Sequence, residues 1–217
     1  YNIWLARSDQ EGALCWERSI GTSGVEDGNV RPALVYRGNG VYSVVFRTRI
    51  TAQEVFSLCV VDININGSVI SQKMYTFDAD CAPATAVVDV AGNLLIGGYI
   101  SRDREQALLV SIKPDGALDW AAEYNFSVIN ALVVADGAVF AAGVNRDFQP
   151  EGYYDAVLAK IGTGGEFVWS RHFGERNIFS VFTALIADGA NLYAAGYRAT
   201  WSGSSSVKDL FLVKAGT

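Results

Sequence analysis

Asp155–Gly174 reads DAVLAKIGTGGEFVWSRHFG, and Ala184–Tyr197 reads ALIADGANLYAAGY. Each is an apolar run, a turn containing glycine, and a second apolar run, which is the pattern of two antiparallel strands joined by a tight hairpin. The runs are short, rich in β-branched and aromatic residues, and lack the 3.6-residue apolar stripe of a helix. Working outward, the first pattern recurs at Ile3–Trp16, Leu58–Ser71 and Leu108–Trp120, with the turn glycines Gly12, Gly67, Gly116 and Gly165 spaced 55, 49 and 49 residues apart. It opens once more at Leu210. The second pattern recurs at Ala33–Phe46, Ala86–Tyr99 and Ala131–Val144. Aligned on their alanines, these copies make Ala33, Ala86, Ala131 and Ala184 equivalent, and a glycine follows at Gly98, Gly143 and Gly196, with Val45 in its place in the first copy. A glycine inside a strand marks close approach of a neighbouring backbone.

Two hairpins per ~50 residues give a four-stranded antiparallel unit, which is too thin to cover both of its apolar faces and so must stack on copies of itself. Radial stacking of four-stranded sheets is a β-propeller. The expected fold is therefore all-β: a single propeller domain over 1–217, built from about four ~50-residue four-stranded blades, or part of a larger ring. The units fall at 1–29 (partial), 30–77, 83–124, 128–174 and 180–217 (partial). The chain opens on a third and fourth strand and closes on a first, second and third, so the ends overlap at the third strand. Either the amino-terminal pair completes the last blade, or further sequence or another subunit finishes the ring, because an open blade edge invites strand addition.

Half of the 217 residues are hydrophobic, enough for a sizeable core, and the composition excludes a disordered chain. Apolar runs are broken early, as by Asn130 and Asp136, so no helix inserted in a membrane is expected. Seventeen Lys+Arg against 23 Asp+Glu give a net charge of −6, which repels phosphate backbones and argues against nucleic acid as a partner. The sequence begins at Tyr1, which reads as a processed form or a fragment.

The fourth unit resembles the bacterial and archaeal SBBP-type β-propeller repeat, at Asp155, Ala156, Ala159, Lys160, Gly165, Trp169, Gly174, Asp188, Gly189, Asn191, Tyr193 and Gly196. The spacings Ala159–Gly165–Trp169 and Ala6–Gly12–Trp16 are also similar to the tryptophan-docking repeat of quinoprotein propellers. Ser71 departs from that pattern in the second unit. The resemblance implies a propeller of six to eight blades and a secreted or surface-exposed prokaryotic habitat. It implies no reaction and no cofactor.

In this strand order the hairpin turns fall at one end of the stack and the links between hairpins at the other. The turns are uniform and the links vary, so any functional surface belongs at the link end. Its candidate binding residues are Arg102, Asp103, Arg146, Asp147, Phe148, Tyr153, Tyr154 and Trp201, with Glu26, Asp27 and Arg104 nearby; aromatic rings beside charged groups suit a glycan or a protein partner. Trp16, Trp120 and Trp169 are expected to pack between blades. Asp62–Gly67 imitates the start of a calcium loop, but Lys73 stands where the bidentate carboxylate belongs, so it reads as a hairpin turn and no metal site is expected. His172 is the only histidine, and no nucleophile elbow, phosphate loop or zinc motif is present. Asn66-Gly67-Ser68 and Asn125-Phe126-Ser127 are N-glycosylation acceptors, making Asn66 and Asn125 hypothetical modification sites. Cys59 reads as a core thiol, and Cys15 with Cys81 as a candidate disulfide.

The expected function is a non-catalytic extracellular or cell-surface module, structural or for interaction, binding glycan or protein through the link end. One alternative is a carbohydrate hydrolase or lyase using Asp103, Asp147 and Glu151. Another is a subunit of a surface layer or filament, a homo-oligomer with strand exchange at the termini.

Overall fold

The computed structural model describes residues 3–21, 25–26, 32–51, 54–146, 154–175, 178–202 and 205–217. Among them are eighteen strands and no helix. β1 (Ile3–Ser8) and β2 (Leu14–Ile20) form a hairpin by themselves. β4 (Ala33–Gly38), β5 (Val41–Arg49), β6 (Ser57–Asn64) and β7 (Val69–Tyr75) follow as an antiparallel meander, with the two-residue β3 (Val25–Glu26) added along β5. A second meander is β8 (Asp80–Val88), β9 (Leu94–Ser101), β10 (Glu105–Ile112) and β11 (Leu118–Tyr124). A third is β12 (Val128–Ala135), β13 (Ala138–Arg146), β14 (Tyr154–Gly162) and β15 (Phe167–Phe173). β16 (Ile178–Asp188), β17 (Asn191–Ser202) and β18 (Ser205–Gly216) make a three-stranded one, joined to the third by a single parallel pair, Tyr154 with Phe179.

Every meander is apolar on both sides, and four apolar clusters show how they stack. Leu58 and Val60 of β6 meet Leu108 and Val110 of β10. Leu109 of that second meander meets Val157 and Ala159 of the third, and Leu158 of the third meets Phe182 and Leu192 of the last. Adjacent residues of one strand thus serve opposite neighbours, which is why these strands read as continuous apolar runs rather than alternating ones. At the amino-terminal side, Ile3, Leu5 and Trp16 of the hairpin cover Phe46, Cys59 and Val61. The hairpin therefore lies against the first meander and does not complete the last one. Closure by that pair, one of the two alternatives read from the sequence, and a set of four equal four-stranded sheets are not what the described residues form.

The turns follow the sequence chemistry. Asp136 and Gly137 both take positive φ in the two-residue turn between β12 and β13, the geometry whose twist matches the flanking strands. Asn64 Oδ1 accepts from the backbone amides of Asn66 and Ser68, so the calcium-like stretch is a hairpin turn, and Asp62 accepts instead from the Ser43 and Ser71 hydroxyls at 2.5 and 2.8 Å.

The tryptophans pack between sheets as expected. Trp120 of the second meander lies over the turn glycine of the third: a side-chain carbon on Gly165 would sit 2.8 Å from its ring. Trp16 does the same over Gly67 and donates from Nε1 to the carbonyl oxygen of Ile65 at 2.9 Å. Where Ser71 breaks the pattern, Lys73 takes over, donating to the carbonyl oxygen of Asp115 at 2.8 Å. Tyr75 and Tyr124 then donate equivalent hydrogen bonds, each 2.9 Å long, to Gly116 and Gly165 of the following sheet. Burial raises the pKa of both phenols, which keeps them protonated as donors.

None of the three cysteines is joined in a disulfide. Cys59 is a core thiol, as expected. Cys81 is buried between the first two meanders, points at the carbonyl oxygen of Phe56, and has its thiol pushed up to about 12 by burial, whereas Cys15 lies exposed on β2. The candidate disulfide between them is thereby corrected.

Candidate functional site

The first strands of the last three meanders each carry a β-bulge. Pairing slips between Pro83 and Thr85, between Ile129 and Ala131, and between Phe182 and Ala184, leaving Ala84, Asn130 and Thr183 as the extra residues. Directly opposite stand Gly98, Gly143 and Gly196, where an added methyl would overlap the carbonyl oxygens of Ala82, Val128 and Val181. The close approach expected at these glycines is therefore real, and the bulge is its cause. A bulge bends its strand and re-aims a side chain. Here all three extra residues line one cavity of about 450 Å³.

The rest of the cavity wall comes from strand positions near the link end. Val128, Val144 and Val181 form its apolar base, and Tyr99, Phe179 and Tyr197 pack around them. Phe179 and Tyr197 stack with ring centroids 5.8 Å apart, and Tyr154 meets Phe179 at 4.2 Å. Asn130 donates from Nδ2 to the carbonyl oxygen of Phe182 at 2.9 Å, tying the third meander to the last. Arg146 is the one charged side chain among the described lining residues, and no carboxylate is among them. Its guanidinium pairs with Glu105 and lies 5.9 Å from the centre of the Tyr154 ring, while its backbone amide donates to Ser127 Oγ at 2.8 Å.

Of the candidate residues read from the sequence, Arg146 lines this cavity, and Tyr154 packs beside it against Arg146 and Phe179 without lining it. Arg102 does not reach it. It clamps the link between the first two meanders instead, donating to Asp78 at 2.5 Å and to both oxygens of Glu123 at 2.6 and 3.0 Å. Hydrogen bonds to Glu123 and Asp78 raise the Arg102 pKa, and the same contact lowers that of Asp78. Asp103 is exposed beside Arg102. Asp147, Phe148, Tyr153, Glu151 and Asp27 lie outside the described residues, and Trp201 is placed on β17 opposite Ser206. Asn66 is exposed on a turn, whereas Asn125 is exposed on a link with its Oδ1 3.5 Å from Arg104. His172 is half-exposed on β15, 3.9 Å from Asp155. No group of three or more metal-binding side chains occurs among the described residues.

Sequence reading missed Asn130, Thr183, Tyr99, Phe179 and Tyr197. The signal was present: a glycine opposite a strand residue whose backbone intrudes implies a bulge, and the extra residue of the bulge is aimed elsewhere.

No protein-family model matches the chain, and no curated protein matches it. Among solved structures, a point mutant of Synechocystis apocarotenoid oxygenase matches 84% of this chain and 50% of its own, at 8% identity and a TM-score of 0.50. A Pyrococcus horikoshii acylaminoacyl peptidase matches over 84% of this chain and 32% of its own, at 12% identity and a TM-score of 0.47. The chain spans half or less of the length of either structure. At such identities the oxygenase likeness bears on the fold alone. The class that fold defines is an all-β protein of stacked antiparallel meanders.

Proposed function

We propose that the chain is an arc of a β-propeller acting as a non-catalytic interaction module, which takes a glycan or a protein segment at its link end. The observation that carries this reading is the set of three register-equivalent bulges that present Ala84, Asn130 and Thr183 to one cavity. Successive first strands lie side by side there, as strands around an axis do. The cavity joins aromatic surface to an amide, a hydroxyl and a guanidinium, groups that hold a sugar ring or a peptide backbone by stacking and hydrogen bonds. An SBBP-type repeat and a secreted or cell-surface setting are part of the same proposal. In that setting Asn66 is an accessible acceptor for glycosylation.

Filling the cavity tests the reading. Thr183→Trp places an indole in the space without removing a core contact. We expect it to abolish binding of the labelled protein on an array of bacterial surface oligosaccharides and on a peptide array, with its melting temperature within a few degrees of the parent. Unchanged binding by the filled variant would contradict a ligand site at this cavity.

A further inference from the structure

Each internal junction between sheets uses the same register positions on the third strand. One side is Val60, Leu109 or Leu158, which face the following sheet at 4, 0 and 0% exposure. The other side is Cys59, Leu108 or Val157, which face the preceding sheet at 0, 3 and 0%. Among the described residues, one half of each kind has no partner sheet against it. On β18 the following-sheet positions are Leu212 and its neighbour on the same side, Leu210, which are 64 and 86% exposed. On β1 the preceding-sheet position is Trp4, also 64% exposed. These two surfaces are the unjoined halves of a junction that the chain makes four times internally.

They are also complementary in charge. Lys208 and Lys214 share the outer side of β18 with the leucines, lying over the rings of Tyr197 and Tyr193 at 5.1 and 5.6 Å. Glu17, paired across the hairpin with Ala6, shares the outer side of β1–β2 with Trp4 and is exposed. We propose that a second copy of this chain sets the Trp4–Glu17 face of its hairpin on the Leu210–Leu212 face of the first, so that the stack continues head to tail from one copy to the next. The contact is heterologous, with a different surface contributed by each partner.

The test uses the 217-residue chain in light scattering coupled to size exclusion, at about 100 µM, within the range of a modest protein interface. The parent is expected to run as an assembly of two or more copies. Trp4→Asp and Leu212→Asp, both at exposed positions, are expected to run as monomers with unchanged circular dichroism, the contact being weakened by about 100-fold or more. Each variant retains the surface that the other has lost. A mixture of the two is therefore expected to give a dimer and nothing larger. A monomeric parent overturns the proposal, as do variants that assemble like the parent or a mixture that stays monomeric.

Discussion

Gly143→Ala is expected to lower the melting temperature by about 10 °C. Gly143 pairs with Ile129 at the start of the bulge, and its Cα faces the carbonyl oxygen of Val128 so closely that any side chain must push the two strands apart. Val128 and Val144, the residues that would move, are 4 and 2% exposed and belong to the base of the cavity. Overpacking of this kind costs about 3 kcal/mol, and a domain of this size loses about 2–4 °C per kcal/mol. The first meander supplies the natural contrast. Phe46 holds the corresponding place against Cys59, as Gly143 does against Val157, and its ring packs on the amino-terminal hairpin. β4 there begins at Ala33, opposite Val45, so the described strand has no residue paired with Phe46. A calorimetric melt of Gly143→Ala that matches the parent would mean that no bulge presses on this site.

Phe182→Ala is expected to be as damaging for the opposite reason, a void. The ring is fully buried between the third and last meanders, stacked on Phe211 at 5.2 Å and 8° and edge-on to Phe173 at 5.6 Å. Truncating such a phenylalanine costs about 3–5 kcal/mol. Because Phe211 and Phe173 belong to different meanders, the loss falls on the junction rather than on one sheet. Urea titration should show the midpoint falling with little change in slope; an unchanged midpoint would show that the last meander does not depend on the third.

The two hairpin patterns were legible because glycine and asparagine at turns and apolar runs between them are local signals. They fixed the strands on both sides of Gly67, Gly116 and Gly165. The equivalence of strands was legible only to within one residue. Pairing sets Thr85, not Ala86, beside Ala131 and Ala184, because the turn after Val88 holds three residues, Val90–Gly92, between Asp89 and Asn93. In the first meander Arg37 is an extra residue before the turn, which is why Phe46 and not Val45 takes the place of the glycine. The cavity was legible only through its end of the stack. Arg146 was found there, with Tyr154 packed beside it, as polar and aromatic residues on a variable link, while Asn130 and Thr183 sit inside apolar runs. A bulge is a property of pairing between strands: its mark is the glycine on the second strand, and nothing in the first strand alone singles out the extra residue.

A common axis for the meanders is what the functional reading depends on. The most direct measurement is an electron-density map of the crystallised chain, clear enough to place carbonyl oxygens along β8, β12 and β16. A shared axis predicts three bulges, at Ala84, Asn130 and Thr183, turned toward one central cavity. First strands that run straight, or bulges that open on separate surfaces, would contradict it.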